Sequence, residues 1–123
     1  GLGSCSGLRD LDLFNCTMLE TVSALGGCRE LRVLNLSGCK RLSDVSGLQY
    51  CKELIWLDLS VCDNLADVSM LTNCQKLVSV NFSNSHRLPD VRGLESCERL
   101  HTLNVDGTNC EAAVDEETSR AGG

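Results

Sequence analysis

Leu31–Glu53 reads LRVLNLSGCKRLSDVSGLQYCKE, and Leu54–Lys76 repeats the pattern as LIWLDLSVCDNLADVSMLTNCQK, so the chain has a period of 23 residues. A copy of that length cannot bury its own apolar side; neighbouring copies must stack and share a core. Leu8, Leu31, Leu54, Leu77 and Leu100 open successive copies. Counted from these leucines as place 1, the apolar places are 1, 4, 6, 9, 12, 15, 18 and 21, as in Leu31, Leu34, Leu36, Cys39, Leu42, Val45, Leu48 and Cys51. The step is three everywhere except between places 4 and 6.

That single step of two is the alternation of a strand, whereas steps of three suit neither a strand nor an α-helix. They suit 3₁₀ turns and irregular arcs. The expected fold is an α/β-type repeat solenoid: one short parallel strand per copy on a concave face, returned by a mainly 3₁₀ or irregular convex arc. The pattern LxxLxLxxCxxLxxVxxLxxC resembles the leucine-rich repeat family from about Leu2 to Asn109. Within it, the DVSxL segment is similar to the bacterial internalin type, and the Cys at place 9 resembles the cysteine-containing type of ubiquitin-ligase substrate receptors. The combination LNLSGCxxLxDVSxLxxC most resembles cysteine-containing repeats of trypanosomatid proteins of the adenylate cyclase regulatory type. The resemblance implies protein binding on the concave surface and names no partner.

The period also sets the expected organisation: a solenoid over residues 1–110, made of a partial repeat 1–7, repeats 8–30, 31–53, 54–76 and 77–99, and a partial repeat 100–110. Residues 111–123, EAAVDEETSRAGG, carry four acids against one Arg and are expected to be an acidic cap or a frayed tail. Leu8, Leu11 and Leu13 make the first complete strand, and a half-repeat before them leaves a strand edge that invites self-association or a partner domain.

Cys5, Cys28, Cys51, Cys74 and Cys97 fall at place 21, and Cys16, Cys39 and Cys62 at place 9, which leaves Cys110 alone outside the ladders. Equivalent side chains on strands about 4.8 Å apart stand too far apart for an unstrained disulfide, whose Cβ atoms lie about 3.8 Å from each other. Parallel ladders do not converge on one point, as zinc ligands must. Buried thiols and no metal or cofactor are expected, in an intracellular, reducing compartment such as cytoplasm or nucleus.

Function belongs to the outward places. On the concave face place 3 holds Asp10, Val33, Trp56, Ser79 and Thr102; place 5 holds Asp12, Asn35, Asp58, Asn81 and Asn104; place 7 holds Phe14, Ser37, Ser60, Ser83 and Asp106. Val33, Trp56 and Val61 form an apolar patch among hydroxyls, amides and carboxylates, the composition of an interaction hot spot. The candidate partner-binding residues are Val33, Trp56, Asp12, Asn35, Asp58, Asn81, Asn104, Phe14, Ser60 and Val61. The competing role for Trp56 is to cover a neighbouring repeat.

Other motifs read as structural. Asp44, Asp67 and Asp90 at place 14 can hold a turn through backbone amides, and one carboxylate per repeat does not meet the six to eight oxygens Ca²⁺ takes. Gly38, Gly47, Gly93 and Gly107 fall at turn places and call only for backbone freedom. The sequons at Asn15, Asn35 and Asn81 arise from the repeat itself and are read as unused. His86 and His101 have no Ser, Cys and acid set around them, so no enzyme is expected. A net charge of −6 and a pI near 4.8 argue against nucleic acid and anionic membrane as main partners, and no apolar run is long enough to cross a bilayer. The reading is a protein-protein interaction module, a regulatory or scaffolding part of a larger protein or complex. The alternatives are a purely architectural segment, or a surface antigen or adhesin.

Overall fold

The computed structural model describes residues 7–110; Cys5 and the expected acidic segment 111–123 lie outside them. Five three-residue strands, β1 (Asp10–Asp12), β2 (Val33–Asn35), β3 (Trp56–Asp58), β4 (Ser79–Asn81) and β5 (Thr102–Asn104), form one parallel sheet in sequence order. The register advances by one period at each step, so Leu11, Leu34, Leu57, Val80 and Leu103 stand in one row.

The arcs explain the steps of three. In the second repeat the Cys39 N–H donates to Leu36 O, Leu42 to Cys39, Leu48 to Val45, Cys51 to Leu48 and Leu54 to Cys51, at 3.0–3.3 Å. Apart from Val45, each apolar residue of the arc thus turns its amide to the carbonyl of the apolar residue three back, the 3₁₀ bond. The same bonds recur in the other copies, except that the Cys62 amide donates to Ser85 Oγ at 3.1 Å, and 3₁₀ turns are continuous at Ser23–Gly27, Ser46–Tyr50, Ser69–Asn73 and Leu94–Ser96. Among the described residues there is no α-helix.

The core is a stack of rows. The inward residues of the second and third repeats are at most 2% exposed, while Leu8, Leu11, Leu13 and Leu19 in the first repeat and Leu100, Leu103 and Val105 in the fifth are only partly buried. Each buried aliphatic side chain contributes about 1.5–3 kcal/mol of hydrophobic free energy, shared with the copy on either side.

The thiols are rungs that hydrogen-bond backwards. Cys39 Sγ lies 3.2 Å from Leu13 O and Cys62 Sγ 3.3 Å from Leu36 O, while Cys51, Cys74 and Cys97 reach Leu25, Leu48 and Leu71 O at 3.2–3.5 Å. Every one donates to the carbonyl 26 residues earlier, one period plus one step of three. Ser85 continues the place-9 row with the same bond, Oγ to Leu59 O at 2.6 Å. Cys110, off the ladders, is 1% exposed, and its Sγ points to Leu88 O at 3.5 Å, so it covers the fourth repeat at Leu88.

Place 8 is left-handed in all five copies. Asn15 (φ 58°), Gly38 (79°), Val61 (54°), Asn84 (61°) and Gly107 (77°) all adopt positive φ, which Gly and Asn tolerate and a β-branched residue does not. Strain of this kind costs on the order of 1–3 kcal/mol. Val61→Asn, the residue of two sister copies, is expected to stabilise the fold by about 1 kcal/mol after loss of the half-buried valine, read as a higher urea midpoint. Gly47 answers to a different need from the expected backbone freedom. A Cβ there would sit 2.5 Å from Val22 O and 2.9 Å from Ser23 Cα, so its absence lets neighbouring turns approach.

Candidate functional site

The candidate residues sort into three groups. Val33 and Trp56 are register partners on β2 and β3, each 37% exposed, and Phe14 is 57% exposed just after β1. These are apolar groups held in solvent by a rigid sheet. Val61 is half-buried in the turn after β3.

The place-5 residues have a prior task. Oδ1 of Asp12, Asn35, Asp58, Asn81 and Asn104 accepts the amide N–H two residues on, from Phe14, Ser37, Ser60, Ser83 and Asp106, at 2.9–3.0 Å. Each closes a turn that lifts the chain out of its strand. Only the other side-chain atom, Oδ2 or Nδ2, faces outward for a partner.

Ser60 does not fit its expected place on the exposed face. It is 6% exposed; its Oγ donates to Asp58 Oδ1 at 2.6 Å and lies 2.8 Å from Ser37 Oγ. The turn that follows β3 folds the hydroxyl in, and Ser60 is a brace between copies.

Ile55 and Val78 belong to the same surface and escape the alternation rule. At the start of each strand one carbonyl takes two amides: Ile55 O accepts from Val78 at 2.8 Å and Ser79 at 3.2 Å, and Arg32 O accepts from Ile55 and Trp56. Alternation is broken there, and places 2 and 3 are both open to solvent. Ile55 is 38% and Val78 37% exposed. The signal was present, because place 2 holds Arg9, Arg32 and His101 in the other copies. Val33, Ile55, Trp56 and Val78 together form an apolar strip across the middle of the sheet.

The remaining motifs are braces. Asp44 and Asp67 accept the Ser46 and Ser69 amides at 2.9 Å, and Asp90 that of Arg92 at 3.1 Å. Hydrogen bonds from Ser46 and Ser69 hold the Asp44 and Asp67 carboxyls below the usual range. At the rim Lys76 Nζ lies 2.8 Å from Glu53 Oε1 and lowers that carboxyl, and Arg9 lies 3.5 Å from Glu30. Exposed pairs of this kind add little to stability. Among the described residues no His, Cys, Asp and Glu group is arranged to hold a metal ion, and no helix is long and apolar enough to cross a membrane.

Comparison with solved structures places this geometry. The chain superposes on an internalin from Listeria monocytogenes with a TM-score of 0.84 at 23% identity, covering 98% of this chain and 34% of the internalin. The fold is the leucine-rich-repeat solenoid. A second internalin from the same organism, internalin C2, is similar at a TM-score of 0.43 and 17% identity over 87% of this chain and 65% of its own. The leucine-rich-repeat ectodomain of a membrane receptor kinase from Arabidopsis thaliana, solved with Casparian strip integrity factor 2, gives 0.41 and 20% over 87% of this chain and 19% of the receptor. The chain spans about a third of the first internalin's length. No protein-family model and no curated protein matches it.

Proposed function

We propose that the chain is a protein-interaction module that binds a partner protein on its strand face, as a regulatory or scaffolding part of a larger protein or complex. The observation that carries this reading is the Val33–Ile55–Trp56–Val78 strip, apolar surface held at 37–38% exposure on a rigid sheet whose core is already filled by other residues. Leu57, the next residue of the same strand, is 1% exposed in the core, while Trp56 stands on the outer side. Large apolar groups held open among polar neighbours are what interaction hot spots are made of.

The finer resemblance to trypanosomatid repeats of the adenylate cyclase regulatory type rests on the sequence pattern alone and adds a regulatory role to the reading. A reducing compartment fits the thiols, since Cys39, Cys51, Cys62, Cys74 and Cys97 serve as hydrogen-bond donors to carbonyls and that role needs them reduced.

Trp56 is the only tryptophan, so its fluorescence reports directly on the face. Binding of a partner is expected to shift that emission, and Trp56→Ala to weaken the complex by about 2 kcal/mol or more, roughly thirtyfold. Unchanged partner affinity in Trp56→Ala, with the variant folded by circular dichroism, would favour the architectural reading.

A further inference from the structure

The strand face carries an excess of acid, its bases being Arg9 and Arg32 at place 2. Places 3, 5 and 7 hold Asp10, Asp12, Asp58 and Asp106 and none of the 11 Lys and Arg of the chain. The four ion pairs among the described residues join Arg9 to Glu30, Arg41 to Glu20, Lys76 to Glu53 and Arg92 to Asp90. None draws on a carboxylate of the face.

The fold does not ask for that charge. At place 5 Asn35, Asn81 and Asn104 make the same turn-closing bond through Oδ1 as Asp12 and Asp58 do, at the same 2.9–3.0 Å. An amide would serve there as well as a carboxylate. Asp10 and Asp106 are exposed, and their carboxylates make no hydrogen bond among the described residues. The charge therefore sits on either side of the Val33–Trp56 pair without being required by the turns, although Asp58 Oδ1 also holds the Ser60 hydroxyl, and beside the one copy that keeps a strained valine, Val61, where its sisters have Asn or Gly. Uncompensated charge and stored strain at one place mark a surface shaped for something other than folding.

Resting on the strand face as the binding surface, we propose that its occupant is a cationic segment of a partner protein. One large apolar side chain lies against Trp56 and Val33, and Lys or Arg on either side of it reach Asp12 and Asp58. β1 and β3 are two strand spacings apart, about 10 Å, the length of roughly three extended residues, which sets the spacing between the flanking bases. Anionic partners such as nucleic acid or acidic lipid meet like charge on this face.

The test uses the whole chain as bait for a displayed library of random linear peptides, followed by affinity measurement on the enriched sequences. Enriched peptides are expected to carry net positive charge around an aromatic or large aliphatic residue, and to lose about tenfold in affinity when salt is raised through the screening range. The variant Asp10→Asn/Asp12→Asn/Asp58→Asn keeps the turn-closing bonds and is expected to lose about tenfold, while Glu98→Gln on the rim is neutral. Enrichment of neutral or acidic peptides, affinity indifferent to both salt and the Asn variant, or no enrichment at all would overturn the proposal. If such salt-indifferent peptides still lose binding in Trp56→Ala, the interaction surface stands and only the charge of its partner is wrong. Where Trp56→Ala also has no effect, both readings fall.

Discussion

Leu57→Ala is expected to destabilise the chain by about 3–4 kcal/mol, and Leu103→Ala, the same change at the same place two copies later, by no more than about half of that. The contrast follows from stacking. Leu57 is 1% exposed between Leu34 and Val80, so truncation leaves a cavity that two neighbouring copies line and neither can close alone. Leu103 at β5 is only partly buried; solvent already reaches it, and the site relaxes at little cost. For a domain of this size each kcal/mol is about 4–8 °C in Tm, so the central variant melts well over 10 °C lower. Urea titrations of both variants check the ratio. Equal losses at the two sites would mean that the array does not behave as a chain of nearest-neighbour interfaces.

How far this structure could be read beforehand depends on what a period can say. Spacing tells which side chains turn inward, because inward residues must recur where strands and 3₁₀ steps place them; Leu34, Leu36, Cys39, Leu42, Val45 and Leu48 are all fully buried as the pattern requires. Spacing is silent about what an outward side chain does next. Asp12 and Asn35 read as free surface, yet each first satisfies an amide within its own turn. Ser60 reads as exposed by its place and is folded in, its hydroxyl held by Asp58 Oδ1 and Ser37 Oγ. Gly47 looks like any turn glycine, and only the packed neighbour shows that the missing Cβ matters through Val22 and Ser23. Cys110 falls off the ladder in sequence and lands on the core because the chain turns back over Leu88, with Asn109 N–H bonded to Leu88 O at 3.0 Å. Apart from Gly47, where close packing of neighbouring turns decides, the differences lie at strand ends and at the last described turn, where local hydrogen bonding overrides the period.

Alkaline titration is expected to unfold the protein through its thiols. Burial pushes Cys62 and Cys74 from an ordinary 9.0 to about 12, and Cys51 to about 11, because a thiolate cannot be solvated between stacked repeats. All three are fully buried. Below pH 9 the groups are protonated in both states, and their contribution is fully present. Above it the unfolded chain loses protons that the folded chain keeps, so unfolding becomes more favourable as pH rises toward the folded values. Each group contributes about 1.4 kcal/mol per pH unit in that window, so Cys62 and Cys74 together remove on the order of 5 kcal/mol by about pH 11. That is comparable with the whole stability of a small domain, about 5–15 kcal/mol. Cys62→Ser isolates the cause. A serine does not ionise in this range, and Ser85 shows that a hydroxyl at this place can make the same backward bond, here to Leu36 O. The variant is expected to be slightly less stable than the parent at neutral pH and to lose about 3 kcal/mol less on going to pH 11, measured by urea denaturation in a reducing buffer. If parent and variant lose stability in parallel over that range, the thiol rungs are not what limits the fold in alkali.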